Sequence, residues 1–207
     1  MRLKYPHWPD AARWPLPYDE NLSRGANRLK GAFHAANQRL NDAVAADHAL
    51  RGMATTAAAV LVSPEQVALA HVGDSRAYLY GDGELYQLTH DDTLVAEMVS
   101  RGEIQPEQVA GHRFRHVITN VVGGNETGIH VEAHALDVRA GERLLLCSNG
   151  LTGMVTDDVI AAVLETELDP EAAATKLVAL ANEAGGSDNV TVLIVRFDAV
   201  APELAKS

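Results

Sequence analysis

The chain has 207 residues, 47% of them hydrophobic and only 5% aromatic, and it carries a formal net charge of −11. This length allows a single domain with a sizeable aliphatic core. The acidic balance argues against a nucleic-acid partner, because binding to a phosphate backbone depends on clustered cations. No stretch approaches the roughly 18 apolar residues of a membrane-spanning helix, so we expect a cytoplasmic protein that does not bind membranes.

The first 19 residues differ from the rest of the chain. Four prolines and both tryptophans, Trp8 and Trp14, fall in this stretch, and such a composition disfavours regular structure. We therefore predict an N-terminal arm over residues 1–19, a domain over residues 20–198 and a C-terminal tail over residues 199–207. Because tryptophans are costly to leave in water, we expect at least one indole to be partly buried.

Hydrophobic spacing predicts the elements of the domain. From about Glu20 to Asp47, apolar residues recur every three or four positions, as on one face of a long amphipathic helix. Strand patterns bounded by turn residues then predict antiparallel hairpins. The predicted strands lie at 55–62, 66–72, 76–80, 85–88, 129–135, 143–147 and 190–197, and further helices at 94–101, 106–110, 157–165 and 170–183.

This order of elements favours an α+β fold, a layered sandwich with antiparallel sheets inside. Within it, the single cysteine, Cys147, ends an apolar run, which indicates a small buried hydrophobic residue rather than a catalytic thiol.

Polar side chains follow several of the predicted strands or precede them. Asp74 and Asn149 each come directly after an apolar strand, and Asp188 and Asn189 stand just before the last one. A desolvated carboxylate is costly unless it binds a cation or accepts hydrogen bonds, so a group of such residues is a candidate site for a hard metal ion. Taken singly, each residue would equally suit a turn, since Asp and Asn side chains bond to their own backbone.

Four motifs in a fixed order carry more information than any one of them. They are residues 72–80 (VGDSRAYLY), 88–91 (LTHD), 145–151 (LLCSNGL) and 186–192 (GSDNVTV), with the segment 115–123 (RHVITNVVG) between the second and the third. Together they resemble the motif series of the metal-dependent Ser/Thr protein phosphatase family, type 2C, in its bacterial form. The resemblance covers about residues 25–197, and residues 95–118 are similar to the flap region of that family's bacterial members.

This resemblance implies a fold and a chemistry. The family fold is an αββα sandwich holding two Mg²⁺ or Mn²⁺ ions, which activate a bridging water for attack on phosphoserine or phosphothreonine. By motif, Asp188 is similar to a ligand of the ion pair and Asp74 to the ligand of an accessory third ion. Asn149 occupies the position of a ligand aspartate, so the resemblance assigns catalysis to Asp188 and Asn149. Substrate-binding or supporting positions are Thr56, Ser75, Arg76, Ser148, Gly150 and Asn189.

The sequence departs from the family pattern in three places. Ser148-Asn149-Gly150 replaces an ionised ligand with a neutral amide, and Asp92 stands where the family has a histidine. Before the first helix, no segment resembles the family's Asn-Glu-Asp strand or its Asp-Gly-x-Gly-Gly turn. Asp188 and Asp74 alone balance the charge of two divalent ions poorly, so we expect Mg²⁺ or Mn²⁺ to bind weakly or not at all at the paired site.

Three functional hypotheses follow. The leading one is a pseudophosphatase, a regulatory binding module in Ser/Thr phosphorylation signalling whose partner is a phosphorylated protein or a Ser/Thr kinase. The first alternative is an active Mg²⁺- or Mn²⁺-dependent phosphatase that takes carboxylates from Asp10, Asp19 and Glu20 or from a partner chain. The second is a truncated gene product that lacks the first strands of the family fold, with exposed sheet edges that promote association.

Two other chemistries are not expected. The nine histidines, including His71, His90, His112 and His116, show no short metal-binding spacing, so scattered surface or core histidines are the better interpretation. Ser75 and Ser148 do not lie in a Gly-x-Ser-x-Gly motif, which argues against a serine hydrolase.

Overall fold

The computed structural model describes residues 18–64, 66–124 and 128–198. Most of the predicted arm, with Trp8 and Trp14, and the whole predicted tail lie outside these residues, so the burial of the indoles and the domain boundaries stay predictions. Within the described ranges, no helix combines the length and the apolar character needed to cross a membrane.

A long helix, α1 (Arg24–Ala46), confirms the predicted amphipathic helix. Ser23 caps it, because its Oγ accepts a hydrogen bond from the Ala26 N–H at 3.2 Å. On its inner face Phe33 packs with Ala70 and Val72. The helix therefore covers one face of a sheet.

That sheet has three antiparallel strands, β2 (Ala57–Val62), β3 (Val67–Val72) and β7 (Glu132–Leu136), in the order β2-β3-β7. Every residue of β3 is buried, which requires cover on both faces. Since side chains alternate along a strand, Ala70 and Val72 face α1, and His71 faces the interior between the two sheets.

The second sheet has four antiparallel strands, β4 (Arg76–Gly81), β5 (Glu84–Gln87), β8 (Arg143–Cys147) and β9 (Val192–Arg196), in the order β5-β4-β8-β9. Helices α4 (Asp157–Thr166) and α5 (Pro170–Glu183) cover its outer face. The core between them is mainly aliphatic with two buried tyrosines; it includes Tyr78, Tyr80, Leu145, Leu151, Ile160, Leu164 and Leu177. This arrangement confirms the predicted α+β fold with antiparallel sheets flanked by helices, whereas the absence of first strands stays a prediction.

Short elements complete the described chain. They are two 3₁₀ turns (His48–Leu50 and Pro106–Gln108), β1 (Ala54–Thr55) paired with β6 (Val122–Gly123), α2 (Leu94–Ser100) and α3 (Asn149–Thr152).

Three local predictions need correction. The strand predicted at 55–62 is interrupted at Thr56, and its two pieces join different sheets. The helix predicted at 106–110 is only a 3₁₀ turn. The strands β3 and β4 do not form a hairpin, because the chain passes from one sheet to the other between them. This crossing places the first candidate site residue.

Candidate functional site

A tight turn between the two sheets presents Asp74. At Gly73 the backbone φ is +104°, and an added Cβ would lie 2.2 Å from Thr56 Cγ2, so the turn accepts only glycine there. The Thr56 Oγ1 in turn lies 2.9 Å from the Ser75 Oγ, within hydrogen-bonding distance. Thr56, the residue between β1 and β2, thus holds the turn in place.

Asp92 braces the same turn from a second direction. Its Oδ2 accepts hydrogen bonds from the Gly73 N–H at 2.8 Å and from the Asn120 Nδ2 at 2.7 Å. Asn120 also donates to the His130 carbonyl at 2.8 Å. The aspartate that replaces the family's histidine therefore has a clear structural role here.

Arg76 connects the turn to the helical layer. Its Nε and Nη2 donate to the two carboxylate oxygens of Asp91 at 2.8 and 2.7 Å, a two-point ion pair. Its Nη1 donates to the Tyr78 hydroxyl at 2.8 Å, and that hydroxyl donates to Asp157 Oδ1 at 3.0 Å. Because each of its three nitrogens donates to Asp91 or Tyr78, Arg76 is held in place by the protein and supports the site in this structure.

Asn149 meets Asp74, as the strand-end argument predicted. It opens α3 directly after β8, and its Nδ2 donates to Asp74 Oδ2 at 3.0 Å. Burial raises the pKa of the Asp74 carboxyl, the negative charge of Asp91 adds to this, and the hydrogen bond from Asn149 opposes it. A half-buried carboxylate thus faces the N–H of a neutral amide.

The loop that carries Asp188 is attached to the start of α3, but the Asp188 side chain remains exposed. An added Cβ at Gly150 would lie 2.3 Å from the Asn189 carbonyl oxygen, and Ser148 Oγ donates to that oxygen at 3.1 Å. Asn189 therefore anchors the loop through its backbone. Asp188 is exposed, and its Oδ1 accepts a hydrogen bond from the Asn189 N–H at 2.7 Å.

These donors do not by themselves fit a pair of divalent ions. In the described part of the chain, no three or more His, Cys, Asp or Glu residues are grouped so that they could hold a metal ion. Asp74 and Asn149 supply one carboxylate and one amide, and the amide turns its N–H towards the carboxylate. Of the three predicted ligands, Asp74 and Asn149 are hydrogen-bonded to each other. Asp188 bonds to neither of them within the described residues.

Two of the acids proposed to complete the site, Asp19 and Glu20, lie elsewhere. Asp19 sits at the start of α1, where its carbonyl accepts from Asn27 Nδ2 at 2.9 Å. Gly25, nearby, abuts Ala68 close to the start of β3, and the run of strand from there to Asp74 is about 20 Å. Asp19 and the adjoining Glu20 are thus at the opposite end of the strand, and Asp10 lies outside the described residues.

Among the described residues, the serines, the cysteine and the histidine considered from the sequence do not form a second reactive site. The Ser75 hydroxyl is partnered with a threonine, and Ser148 Oγ with backbone groups. Burial raises the pKa of the Cys147 thiol to about 12, as suits the predicted buried hydrophobic residue. His71 is 1% exposed, and its Nδ1 lies 3.7 Å from Glu132 Oε2.

Sequence reasoning missed part of the supporting network. Asn120 lies in the segment 115–123, but its bond to Asp92, 28 residues away, was not predicted, nor was the bond between Tyr78 and Asp157, which are 79 residues apart. Asp91 belongs to one of the motifs, but only the structure shows its pairing with Arg76. The one available signal was that Arg76 and Asp91 are opposite charges bounding a single predicted hairpin.

Two antiparallel sheets between helical layers, with Asp74 and Asn149 meeting where β3 and β8 end, form the arrangement that the motifs implied for metal-dependent protein phosphatases. A sequence profile of the family described as "Protein phosphatase 2C" matches residues 12–183. The chain belongs to this family.

Its relatives are bacterial Ser/Thr phosphatases. The chain is 40% identical over 169 residues to the Serine/threonine protein phosphatase PstP of Mycobacterium tuberculosis, covering 81% of this chain and 32% of that protein. The crystal structure of the M. tuberculosis serine/threonine phosphatase PstP/Ppp matches with a TM-score of 0.79 and 38% identity, over 87% of this chain and 76% of that one. The catalytic domain of PstP in complex with two manganese ions matches with a TM-score of 0.72 and 38% identity, over 85% and 73%.

The chain spans about a third of the length of PstP and 65% of the Protein phosphatase PhpP of Streptococcus pneumoniae. The activity, substrates and partners of the relatives are therefore a basis for proposals about this chain.

Proposed function

We propose that this protein acts on phosphoserine and phosphothreonine residues of other proteins, as a phosphatase-type domain in Ser/Thr phosphorylation signalling in the cytoplasm. One observation carries the proposal. The turn that presents Asp74 is held by Thr56 and Asp92 and faces Asn149, at the positions matched by the family's motifs. Family membership and the names of the relatives support it.

We further propose that the domain hydrolyses its substrate with Mg²⁺ or Mn²⁺, using ligands from outside the described residues to complete the ion site. The manganese-bound structure of PstP supports this. Since the described donors do not fit two ions, the missing carboxylates come from Asp10 or from a second chain. What the described residues supply is a fixed, half-buried carboxylate at Asp74, oriented by a turn that is braced on two sides.

A titration of the whole 207-residue protein tests this proposal. We expect phosphate release from a phosphothreonine peptide only when Mn²⁺ is added, and isothermal titration calorimetry should show saturable Mn²⁺ binding. Asp10→Ala should abolish both if Asp10 is a ligand, whereas Asp19→Ala, at the far end of β3, should change neither. Absence of both binding and hydrolysis would refute the catalytic proposal.

A second candidate function is binding of phosphoproteins without turnover, which the bond from Asn149 to Asp74 favours. An N–H donor satisfies the carboxylate in the place where a ligand aspartate and its cation would otherwise meet. Under this alternative, a phosphopeptide binds and no phosphate is released at any Mn²⁺ concentration.

Asn149→Asp discriminates between the two candidates without relying on activity. Two carboxylates about 3 Å apart repel each other, so the variant should unfold at a lower temperature than the wild type in EDTA. If Asn149 is what limits ion binding, Mn²⁺ should raise the melting temperature of the variant by several degrees and leave the wild type unchanged. An equal rise in both proteins would show that the wild-type site already binds the ion, and would favour hydrolysis.

A further inference from the structure

A basic segment interrupts the acidic surface of this protein. Residues 112–116 read His-Arg-Phe-Arg-His, and we refer to them as the basic segment. Residues 108–125 contain no Asp or Glu, although 28 of the 207 residues are acidic. Arg113, Arg115 and His116 are exposed. The chain thus concentrates positive charge, free of nearby acids in sequence, at one surface position.

Neither arginine of the segment is neutralised by the described part of the chain. Arg76, Arg101 and Arg196 each form an ion pair with an aspartate or glutamate. Arg113 instead stacks on the Phe114 ring, with its guanidinium carbon 4.3 Å from the ring centroid, and no described carboxylate lies within 4.0 Å of Arg113 or Arg115. Both guanidinium groups keep donors available for an outside acceptor.

The segment is held in a defined shape. The Arg115 N–H donates to the His112 carbonyl at 3.1 Å, and the Val117 N–H donates to the Phe114 carbonyl at 3.0 Å. Phe114 is half-buried and packs edge-on against His112, with the ring centroids 5.6 Å apart. Because these turns are already formed, a partner would not have to pay for ordering the backbone.

The segment also lies close to the turn that presents Asp74. Just after it, the Val117 carbonyl accepts from the Leu94 N–H at 2.9 Å, and the Thr119 N–H donates to the Asp92 carbonyl at 2.8 Å. The side chain of the same Asp92 accepts from the Gly73 N–H at 2.8 Å. Arg113 precedes Thr119 by six positions, so at about 3.3 Å per residue its backbone lies within about 20 Å of Thr119, whose N–H is bonded to Asp92.

We propose that the basic segment docks an acidic stretch of the phosphorylated substrate protein, with Arg113 and Arg115 bonding to its carboxylates. This proposal rests on the proposed function in one respect, namely that the phosphorylated residue of the substrate lies near Asp74. An extended peptide advances about 3.3 Å per residue, so a reach of about 20 Å corresponds to acids within roughly six residues of the phosphorylated one. Two arginines in a chain of net charge −11 suit a short acidic peptide and not a nucleic-acid backbone.

Binding of labelled phosphothreonine peptides, followed by fluorescence anisotropy in EDTA so that no phosphate is released, tests the proposal. One peptide carries Glu at the third to sixth positions on both sides of the phosphothreonine, and a matched peptide carries Ala there. We expect the Glu peptide to bind about tenfold more tightly, the size that two partly exposed charge pairs supply, and the difference to shrink with added salt.

Charge reversal locates the effect. Arg113→Glu combined with Arg115→Glu should remove the preference for the Glu peptide. Arg101→Glu is the matched control, because Arg101 is exposed but already paired with Glu97 at 3.0 Å, and this variant should keep most of the preference. Circular dichroism verifies that both variants fold. If the double charge-reversal variant does not fold, Arg113→Lys combined with Arg115→Lys replaces it; this variant keeps both positive charges and should retain the preference for the Glu peptide.

The outcomes separate docking from the proposed function. Equal affinity for the Glu and Ala peptides, or equal loss in the two charge-reversal variants, would overturn the docking proposal. A Glu preference that persists when the phosphate is omitted, with no loss of affinity, would uphold docking and count against a phosphoresidue site near Asp74.

Discussion

The two acids that the motifs placed at the site are held very differently. Asp74 follows a turn that is anchored by a threonine, an aspartate and an asparagine amide from three separate segments. Asp188 is exposed, and within the described residues its side chain bonds only to the backbone N–H of Asn189, whose carbonyl in turn attaches the loop to the start of α3. Both positions read as ligand aspartates in the sequence, so the difference comes from what surrounds them.

Asp74 and its turn are thus part of the packed fold, whereas Asp188 lies on a loop at the surface. An aspartate whose carboxylate is half-buried must find a donor, because burial without one is costly. Asp188, in water, has no such requirement. Substitutions around Asp74 should therefore alter the stability of the whole domain, and substitutions at Asp188 should not.

The largest effect is expected from Gly73→Ala. Its Cβ would overlap Thr56 Cγ2 at 2.2 Å, and the φ of +104° is strained for any residue with a Cβ. We expect a loss of about 3 kcal/mol or more in the free energy of unfolding, measured by urea denaturation. Gly83→Ala is the control, since Gly83 has a φ of +82° but no atom within 4 Å, and it should cost about 1–2 kcal/mol. Equal losses would mean that the contact with Thr56 does not fix the turn.

Asp92→Ala should have the next largest effect. It leaves the Gly73 N–H and the Asn120 amide without their acceptor, and each is part-buried. We expect a loss of about 2 kcal/mol in the same denaturation experiment. Asp42→Ala removes an exposed aspartate whose bond is to Gln38 on the same helix, and it should stay within about 0.5 kcal/mol of the wild type. A loss at Asp92 no larger than at Asp42 would show that the brace contributes little.

A smaller effect is expected in the pH dependence of stability. Burial raises the pKa of Asp74 in the folded protein, so the folded state holds this proton more tightly than the unfolded chain does. The contribution of Asp74 to stability is then greatest below the ordinary aspartate pKa of about 3.9 and declines as the pH rises through the raised value. Asp74→Asn cannot titrate, and the difference in unfolding free energy between wild type and variant should change with pH over this window. A constant difference would contradict the raised pKa.

The smallest effect is expected from Asp188→Ala. Its loop keeps the bonds through Asn189 and Ser148, so the free energy of unfolding should change by less than about 0.5 kcal/mol. A loss above 1 kcal/mol in thermal or urea denaturation would show that Asp188 is as firmly built in as Asp74, and the contrast between the two aspartates would fail.

Periodicity was enough to predict most of the fold. The predicted strands at 66–72 and 143–147 and the helices near 20–47 and 170–183 match β3, β8, α1 and α5 closely. These are long helices or mostly apolar, buried strands, in which local pattern and burial agree. The strand predicted at 55–62 was wrong at one residue, because threonine favours strands and Thr56 gives no local sign that the chain changes sheets there.

The site was predictable only in part. The meeting of Asp74 and Asn149 followed from their positions at strand ends, and the neutral amide was visible in the sequence. Which atom of the Asn149 amide faces Asp74 was not predictable. An asparagine side chain can present either its oxygen or its N–H, and the neighbouring group decides which. The bonds of Asn120 and Asp157 join residues far apart in the chain and carry no local pattern.

The amide of Asn149 has a consequence for the supply of metal to this protein. Where a buried acid is neutralised by a cation, folding depends on how much of that cation is available. Here the donor to Asp74 is Asn149 Nδ2 at 3.0 Å, a side chain of the same polypeptide that does not have to be taken up from solution. Asp74 therefore has a hydrogen-bond donor in this fold without a divalent ion, and the turn that carries it does not need one in order to form.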